Sequence, residues 1–392
     1  MNRREFLATG AGGALLTTAG CLDGIEINAG TRELDASGAW RRPEFDAAAT
    51  GYNPNVTGPT EEPSVRWEAE APVDSAHVPA IAAADGVAYF AGGSTVTALD
   101  ITDGARRWQT QVADEYAPGG TIGTHCSVAL GEERVYAGTH EGLTALSLAG
   151  EVLWSHEVPA KPGASGVYRS PAVYDGSVYF CAAENPDEGT VLAYTTDGEE
   201  RWRDERPGPL VGGPAVTASG VYATDDEGLC AYTHGGELRW QAANVGTQTP
   251  AASDGAVHVT GARPDLGRFV AAFEPDGDLR WRNDGGPIYH RPLTVTDELV
   301  VASSTSRSMF GYGVEKGATW WGAWLDTPPG GDPFPVADGD SVYVAADGTV
   351  TSVAVREDRR WQVDLDGADG GIAVLDGALL VGSTDGTCYA LA

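Results

Sequence analysis

The residues that could do chemistry are polar and aromatic side chains that each precede a short apolar segment. His77, His125 and His290 are three of the seven histidines and stand in such places. Imidazoles can bind a metal, move a proton or hold an anion, and guanidinium and phenol groups beside them would extend a ligand site. The corresponding positions before other apolar segments hold Tyr168, Arg169, Gln248, Tyr289, Arg291 and Asp369. These side chains make a site only if the fold brings them together.

Other reactive groups form no pattern that predicts a catalytic or metal site. Cys126, Cys181, Cys230 and Cys388 are far apart and lack the CxxC spacing of a metal site. We expect them to be buried small residues, with one disulfide between neighbouring units left open. Acidic turns lie in separate segments, whereas calcium needs six to eight oxygens at one point. We therefore predict no metal site, and no nucleophile motif or phosphate loop is present.

A tryptophan that recurs about every forty residues reveals the elements that must position these side chains. Each copy follows the same turn, as in AlaLeuAspIleThrAspGlyAlaArgArgTrp at 98–108 and AlaTyrThrThrAspGlyGluGluArgTrp at 193–202. The recurring residues are Trp67, Trp108, Trp154, Trp202, Trp240, Trp281, Trp321 (or Trp320) and Trp361. Short strands with turn residues at this period predict a β-propeller.

The repeat unit is predicted to contain four strands, and one unit is divided between the two ends of the repeat region, which brings the number of blades to eight. In residues 170–203, alternating apolar segments are separated by AspGly turns, which predicts an inner strand, two middle strands and an outer strand that carries Trp202. The final unit, 370–392, stops before its fourth strand, and ValArgTrpGlu at 65–68 supplies it. We predict an all-β, eight-bladed propeller over residues 64–392, with four-stranded antiparallel blades and the last blade completed by an N-terminal strand.

Charge restricts the classes of partner. The formal net charge is −31, and Lys161 and Lys316 are the only lysines. A surface this acidic repels nucleic acid and anionic membranes, so we exclude both as direct partners. Acidic chains poor in lysine are typical of proteins adapted to high salt, where counterions screen self-repulsion. An acidic partner-binding surface is the alternative interpretation.

The N-terminal region predicts export. AsnArgArgGluPheLeu at 2–7 resembles a twin-arginine signal, and ThrAlaGlyCys at 18–21 resembles a lipobox whose cysteine, Cys21, would carry the lipid. A cleaved signal with a chance cysteine is the alternative. We assign residues 1–21 to the signal and 22–63 to a tether and lead-in segment. Trp40, Phe45 and Tyr52 are costly to leave in water, so we expect residues 40–54 to dock on the propeller.

The segment 98–108 resembles the tryptophan-docking motif of PQQ-like (quinoprotein-type) propellers, and residues 40–54 resemble the aromatic lead-in of PQQ-like propeller lipoproteins. An exported lipoprotein with eight bare blades is most similar to the BamB-type branch. Enzymes of the family use PQQ and calcium, with an adjacent cysteine pair against the quinone. No CysCys occurs in this sequence and its loops are short, so no catalytic residue of the family has a counterpart here.

The resemblance implies a non-catalytic scaffold, anchored by lipid to the outer face of the cytoplasmic membrane. We expect it to be a monomer without a cofactor that binds other cell-surface or membrane proteins. The alternatives are a dehydrogenase with PQQ and calcium, or a small-ligand sensor. Both would use a funnel at the channel rim, where positions before inner strands meet. The candidate funnel residues are His77, His125, Tyr168, Arg169, Gln248, His290, Arg291 and Asp369. A solvated funnel, present in any propeller, is the simpler interpretation.

Overall fold

A computed structural model describes most of the chain from residue 34 onward. The described residues are 34, 36–71, 80–114, 126–158, 170–185, 188–210, 212–245, 248–253, 255–263, 267–286, 292–304, 308–324, 334–355 and 359–392. They form strands and turns without a helix, so none of them belongs to a helix that could cross a membrane. The strands assemble into eight four-stranded antiparallel sheets, which are the eight predicted blades.

Each of the first four blades runs from an inner to an outer strand in chain order. Blade 1 contains β2 (Ala80–Ala84), β3 (Val87–Gly92), β4 (Thr95–Asp100) and β5 (Arg106–Gln111). Blade 2 contains β6 (Ser127–Leu130), β7 (Arg134–Gly138), β8 (Gly142–Ser147) and β9 (Val152–Glu157). Blade 3 contains β10 (Ala172–Tyr174), β11 (Ser177–Asn185), β12 (Glu188–Thr195) and β13 (Glu200–Arg206). Blade 4 contains β14 (Ala215–Thr217), β15 (Gly220–Thr224), β16 (Gly228–Tyr232) and β17 (Leu238–Ala243).

The other four blades repeat this order, except that the last blade takes its outer strand from the N-terminal side. Blade 5 contains β18 (Ala251–Ala252), β19 (Val257–Arg263), β20 (Gly267–Phe273) and β21 (Leu279–Gly286). Blade 6 contains β22 (Thr294–Val295), β23 (Leu299–Ser304), β24 (Ser308–Gly313) and β25 (Thr319–Trp324). Blade 7 contains β26 (Val336–Ala337), β27 (Ser341–Ala346), β28 (Thr349–Ala354) and β29 (Arg359–Asp364). Blade 8 contains β30 (Ala368–Leu375), β31 (Ala378–Ser383), β32 (Thr387–Leu391) and β1 (Val65–Glu70).

The split blade confirms the predicted ring closure. β1 pairs antiparallel with β32, and Trp67 lies opposite Ala390 in the ladder. This pairing joins the two ends of the propeller and leaves no unpaired strand edge between the first and last units of the ring. Trp67 is 1% exposed, so the closing strand is also held by burial of its largest side chain.

The recurring tryptophans join neighbouring blades, as their place on the outer strand predicts. The indole nitrogen of Trp154 donates to the carbonyl of Thr196 in the next blade at 3.0 Å. The ring covers Gly198 in the same turn, where an added Cβ would lie 2.9 Å from the indole. The same bond to the following blade is made by Trp67, Trp108, Trp202, Trp240 and Trp281. Blades 1 to 6 therefore each present a carbonyl and a bare glycine face to the tryptophan of the preceding blade.

The structure shows whether the four cysteines form the disulfide that the sequence left open. Cys126, Cys181, Cys230 and Cys388 are all buried, lie in different blades and form no disulfide. Burial raises the pKa of the Cys126 and Cys230 thiols to about 12, which keeps them protonated and unreactive at neutral pH. They fill space in the blades, as the spacing of these residues predicts.

The lead-in segment, residues 37–59, runs once around the propeller axis on one face. This is the face of the turns that link the inner strand of each blade to the next strand, and we call it the turn face. The segment contacts the blades in chain order, through the following backbone bonds of 2.7–2.9 Å: Asp376 N to Ser37 O, Ala83 N to Trp40 O, Leu130 N to Arg41 O, Val216 N to Ala47 O, Ala252 N to Ala48 O, Val295 N to Thr50 O, Ala337 N to Gly51 O and Gly377 N to Thr57 O. Inner strands have one unpaired edge that faces the channel, and the lead-in segment supplies acceptors to that edge.

Aromatic burial explains why the lead-in segment stays on the propeller. Trp40 is fully buried, and its ring packs against Phe45 with centroids 5.1 Å apart. The Tyr52 hydroxyl donates to the carboxylate of Asp297 at 3.1 Å. The docking predicted from these three aromatic residues is therefore present, and it covers the turn-face end of the central channel.

Candidate functional site

Most of the predicted funnel residues lie outside the described residues. These are His77, His125, Tyr168, Arg169, His290 and Arg291, together with Tyr289. Gln248 is described and precedes β18, and its carbonyl accepts a hydrogen bond from the Thr224 hydroxyl at 2.7 Å. Asp369 lies within the first part of β30, where the ladder shifts between Ala368 and Ile372, and not before the strand. The structure therefore places two of the eight candidates, Gln248 before an inner strand and Asp369 within one.

The described part of the channel is occupied by an ion pair from the lead-in segment. Arg42 is 1% exposed, and its Nε donates to the Glu44 carboxylate at 2.8 Å. A second guanidinium nitrogen of Arg42 donates to the Pro214 carbonyl at 3.0 Å. The Ser170 hydroxyl donates to Glu44 at 3.3 Å and lies 2.6 Å from the Ser127 hydroxyl. The pair thus links the lead-in segment to the inner ends of blades 2, 3 and 4.

The chemistry of the described channel residues differs from that of a quinone site. The four cysteines lie in four separate blades, whereas quinoprotein enzymes need two adjacent ones against the cofactor. Within the described residues, no group of three or more His, Cys, Asp or Glu side chains is arranged to hold a metal ion. The described residues therefore do not fit PQQ with calcium.

A groove on the turn face surrounds the first turn of blade 2, residues 131–133. A cavity of about 190 Å³ lies between blades 1 and 2, and one of about 540 Å³ lies between blades 2 and 3. Both are lined by Leu130, Gly131 and Glu132. A third cavity of about 400 Å³ lies inside the circle of the lead-in segment and shares Leu130 with them. We call the first two cavities and the strip beside them (Leu148, Val152 and Leu153) the blade-2 groove.

The groove exists because blade 2 departs from the repeat. The residue before the recurring tryptophan is arginine in six units, at Arg66, Arg107, Arg201, Arg239, Arg280 and Arg360. Five of these arginines donate to a carbonyl in the first turn of their own blade, namely Gly86, Gly176, Ser219, Gly255 and Asp340. Blade 2 has Leu153 instead. Its turn carbonyl at Gly131 accepts from Arg41 of the lead-in segment at 3.2 Å, and the outer strand stays apolar.

Exposed apolar side chains concentrate beside this turn. Leu148, Val152 and Leu153 are 48%, 54% and 46% exposed, and they are three of the seven large apolar residues that are exposed in the described part of the chain. Single exposed apolar residues are ordinary, whereas a contiguous group on one blade marks a surface that a partner can cover.

Two of the three arginines that line the groove form ion pairs, and the third, Arg41, donates to the Gly131 carbonyl, whereas the lining acids form no ion pair with a described residue. Arg107 pairs with Asp100 at 2.7 Å, and Arg134 pairs with Asp197 at 2.7 Å. The bond to Asp197 raises the pKa of Arg134, so its charge is fixed. The lining acids Asp85, Glu132, Glu133 and Asp175 are exposed and form no ion pair within the described residues. The groove therefore presents apolar surface with uncompensated negative charge.

The tyrosines below the groove contribute apolar surface. Tyr136 and Tyr89 are almost fully buried and pack against Trp154 and Trp108, respectively. Burial raises the pKa of both phenols, so they stay neutral across the physiological range. Tyr174 is half-buried at the rim and offers an aromatic face.

Sequence reasoning placed the candidate site on the channel rim and did not identify the blade-2 groove. The signal was present in the repeat, because Leu153 replaces an arginine that six other units share. Its meaning depends on the contact between that arginine and the first turn of its blade, and the contact is visible only in three dimensions.

The comparisons with known proteins agree with this architecture. The sequence profile of the family described as "Outer membrane protein assembly factor BamB" matches residues 48–186 and 187–392, which is most of the chain. The chain belongs to this family. No curated protein sequence matches the chain. The family assignment confirms the PQQ-like propeller resemblance that the tryptophan motif indicates.

Solved structures with similar coordinates include a BamB protein and two alcohol-oxidising dehydrogenases. BamB from Moraxella catarrhalis is 19% identical, with 84% of this chain and 97% of that chain covered and a TM-score of 0.63. Quinohemoprotein alcohol dehydrogenase from Comamonas testosteroni is 14% identical, with 90% and 80% covered and a TM-score of 0.67. A europium-containing methanol dehydrogenase is 12% identical, with 91% and 98% covered and a TM-score of 0.67. At these identities the likeness establishes the shared fold alone.

Proposed function

We propose that this protein is a non-catalytic, exported scaffold that binds other proteins at the outer face of the cytoplasmic membrane. The observation that carries the proposal is the blade-2 groove, where apolar side chains and unpaired acids lie together on one face. Membership of the BamB family supports a protein-binding role, because the family is described by an assembly function. The groove offers a partner three exposed apolar side chains and an aromatic rim.

The lead-in segment determines which face would look toward the membrane. The chain already contacts the propeller at Leu34, which is buried and whose N–H donates to the Thr102 carbonyl of blade 1 at 2.8 Å, and it then reaches the first turn of blade 8 at Ser37, on the same face as the groove. If Cys21 carries a lipid, the chain from Cys21 to Leu34 reaches at most about 45 Å when extended. An anchored scaffold would therefore hold its turn face toward partners that lie close to the membrane surface.

Crosslinking in native membranes tests the scaffold function. A photo-crosslinking amino acid at Glu133 samples the groove, and the same amino acid at Glu227 samples the opposite face, in the turn between β15 and β16. Both positions are exposed, so they form a matched pair. We expect discrete adducts from position 133 and none of the same size from position 227. Identical adduct patterns from both positions would argue against a specific partner surface.

Membrane attachment needs its own experiment. Cys21→Ala should release the exported protein from membranes, provided that the lipid supplies the attachment. One acyl chain anchors a protein only marginally, so stable attachment requires two chains or a second contact. A variant that fractionates with membranes as the parent does would contradict the lipid anchor and leave the groove unaffected.

The enzymatic alternative predicts a different result. We propose that the protein needs no cofactor, since its sequence lacks an adjacent cysteine pair. Purified protein mixed with PQQ and calcium should show no saturable quinone binding and no dye-linked oxidation of alcohols or sugars. Turnover that is abolished by both His125→Ala and Arg169→Ala would replace the scaffold assignment with a funnel enzyme.

A further inference from the structure

We infer that the blade-2 groove recognises a segment of a partner protein in which large apolar side chains stand next to arginine or lysine. This inference rests on the proposed scaffold function and names the chemistry of the partner. It follows from the composition of one surface, which combines an apolar strip and four exposed acids that form no ion pair with a described cation.

The apolar part of the site is the strip formed by Leu148, Val152 and Leu153. Leu148 lies in the turn that precedes β9, and the other two residues are the first two of that strand, so the three are close together in the sequence. Val152 occupies a position that is Arg106 in blade 1 and Glu200 in blade 3. An apolar residue also stands at this position in three other units, as Val65, Leu238 and Leu279, so the change that is particular to blade 2 is Leu153, which follows Val152 directly and makes two successive exposed positions apolar. Burial of two such side chains by a partner supplies the apolar contact that a binding hot spot needs.

The acidic part of the site selects for a cationic partner. Glu132 and Glu133 form the turn that separates the two cavities, and Asp85 and Asp175 stand on the far walls. The nearby guanidinium groups of Arg107 and Arg134 already bind Asp100 and Asp197. Arg41 also lines the groove, but its guanidinium donates to the Gly131 carbonyl and forms no ion pair with the lining acids. A lysine or arginine of the partner would therefore find unpaired carboxylates, and charge complementarity of this kind raises the association rate and excludes wrong partners.

Charge also excludes two other occupants. A second copy of this chain would bring another net charge of −31 to an acidic surface, so self-association through the groove is disfavoured. An anionic lipid surface is repelled for the same reason. The remaining fit is a protein segment that carries both apolar and basic side chains.

Binding of short fluorescent peptides tests the inference. The probe alternates lysine and leucine, and the comparison peptide has serine in place of leucine at the same charge. We expect the lysine–leucine peptide to bind the full-length protein at least about tenfold more tightly than the lysine–serine peptide. Leucine-dependent binding should persist in about 1 M salt, where the screening length falls to about 3 Å.

Two sets of variants assign the binding to the groove. Leu153→Arg restores the residue of the other repeats, and Leu153→Ser removes the apolar surface without adding charge. Leu238→Ser is the matched control, because Leu238 is 47% exposed on the outer strand of blade 4. We expect both Leu153 variants to weaken binding about tenfold or more and Leu238→Ser to leave it within about twofold.

The acids are tested in the same way. The double variant Glu132→Gln and Glu133→Gln should weaken binding of the peptide at low salt, whereas Glu61→Gln with Glu62→Gln removes the same charge from two exposed residues of the lead-in region. Equal losses in both double variants, or equal affinity for the two peptides, would show general attraction to an acidic protein and overturn the inference.

The outcomes separate this inference from the proposed function. Crosslinks from position 133 together with no leucine-dependent peptide binding would keep the scaffold and reject the partner chemistry. Peptide binding that Leu153→Arg abolishes, without any adduct in native membranes, would support the partner chemistry and contradict the membrane location of the scaffold.

Discussion

The indole nitrogen of Trp361 donates to the carbonyl oxygen of Pro59 at 2.9 Å, across 302 residues of sequence. In six other blades this bond reaches the turn of the following blade. The blade that follows blade 7 is the split one, and its third and fourth strands have no connecting turn. The end of the lead-in segment takes the place of that turn, so the same segment covers the channel and completes the last contact between blades.

Removing the lead-in segment should therefore destabilise the whole ring. Deletion of residues 37–59 leaves β1 in place but removes the acceptors for the inner-strand N–H groups of six blades and for two N–H groups in the first turn of blade 8. At about 0.5–1.5 kcal/mol for each net hydrogen bond, we expect a loss of more than roughly 4 kcal/mol in the free energy of unfolding. Urea unfolding measures it, with deletion of residues 22–33 as the control.

A double-mutant cycle tests the role of Pro59. Trp361→Phe should cost about 1 kcal/mol in the full chain and almost nothing in the chain that lacks residues 37–59, because the acceptor is already gone. Trp281→Phe, whose acceptor is Val314, should cost the same in both backgrounds. Additive behaviour of Trp361→Phe would contradict the closure contact.

Two glycines of blade 3 separate backbone strain from tryptophan docking. Gly176 and Gly198 have φ values of 69° and 91°, but an added Cβ meets nothing within 4 Å at Gly176 and meets the Trp154 ring at 2.9 Å at Gly198. Gly176→Ala should cost about 1–2 kcal/mol from the left-handed backbone alone. Gly198→Ala should cost about 1–3 kcal/mol more through the clash with the indole. Equal melting temperatures for the two variants would show that the ring moves aside freely.

The sequence was enough to predict the fold because the contact of a tryptophan with the turn of the following blade is repeated in six blades. Trp154 and Gly198 are forty-four positions apart, yet each recurs at a fixed place in its own unit, so their contact follows from the period. The lone strand around Trp67 gave the closure by the same logic. A pattern that repeats along the sequence therefore predicts the contacts that recur from blade to blade.

Features that occur once could not be predicted in this way. Arg42 and Glu44 occur in the lead-in segment, which has no second copy, and nothing local shows that they enter the channel. The blade-2 groove depends on the contact of an arginine with the turn of its own blade and on the loss of that arginine at Leu153. Sequence reasoning placed the site on the rim because polar residues recur there, whereas the groove arises where the repeat fails.

Removing one charge of the buried ion pair in the lead-in segment should destabilise the protein more than removing both charges. Arg42→Met leaves the Glu44 carboxylate buried beside Ser170 without its cation, which should cost about 3–5 kcal/mol. The double variant Arg42→Met with Glu44→Gln removes both charges and should recover much of the loss. Chemical unfolding of the single and double variants measures the coupling. A double variant no more stable than Arg42→Met would mean that the charges do not compensate each other.

Salt should stabilise the protein. With a net charge of −31, self-repulsion acts over about 30 Å at 0.01 M salt and over about 3 Å at 1 M. We therefore expect the melting temperature to rise between these conditions, with most of the increase at low concentration. Sodium chloride and potassium chloride should act alike, since screening depends on ionic strength. A melting temperature that does not move would contradict adaptation of this chain to high salt.

Acid should destabilise blade 5 through His258, which stands where five other blades have a tyrosine, namely Tyr89, Tyr136, Tyr179, Tyr222 and Tyr343. The ring is fully buried and packs 5.9 Å from the centroid of Trp281. Burial, reinforced by the charge of Arg280, lowers the pKa of His258 from 6.5 to about 4.

Because the unfolded chain binds this proton more readily, stability is complete above pH 6.5 and falls as the pH drops toward 4. The shift corresponds to roughly 3 kcal/mol over that window. His258→Tyr restores the residue of the other blades and should remove this part of the pH dependence, as measured by urea unfolding at pH 7 and pH 4.5. Tyr222→Phe alters the same position of blade 4 without a group that titrates in acid, and should keep the parent's slope. A His258→Tyr variant that loses as much stability as the parent would assign the acid sensitivity to the carboxylates.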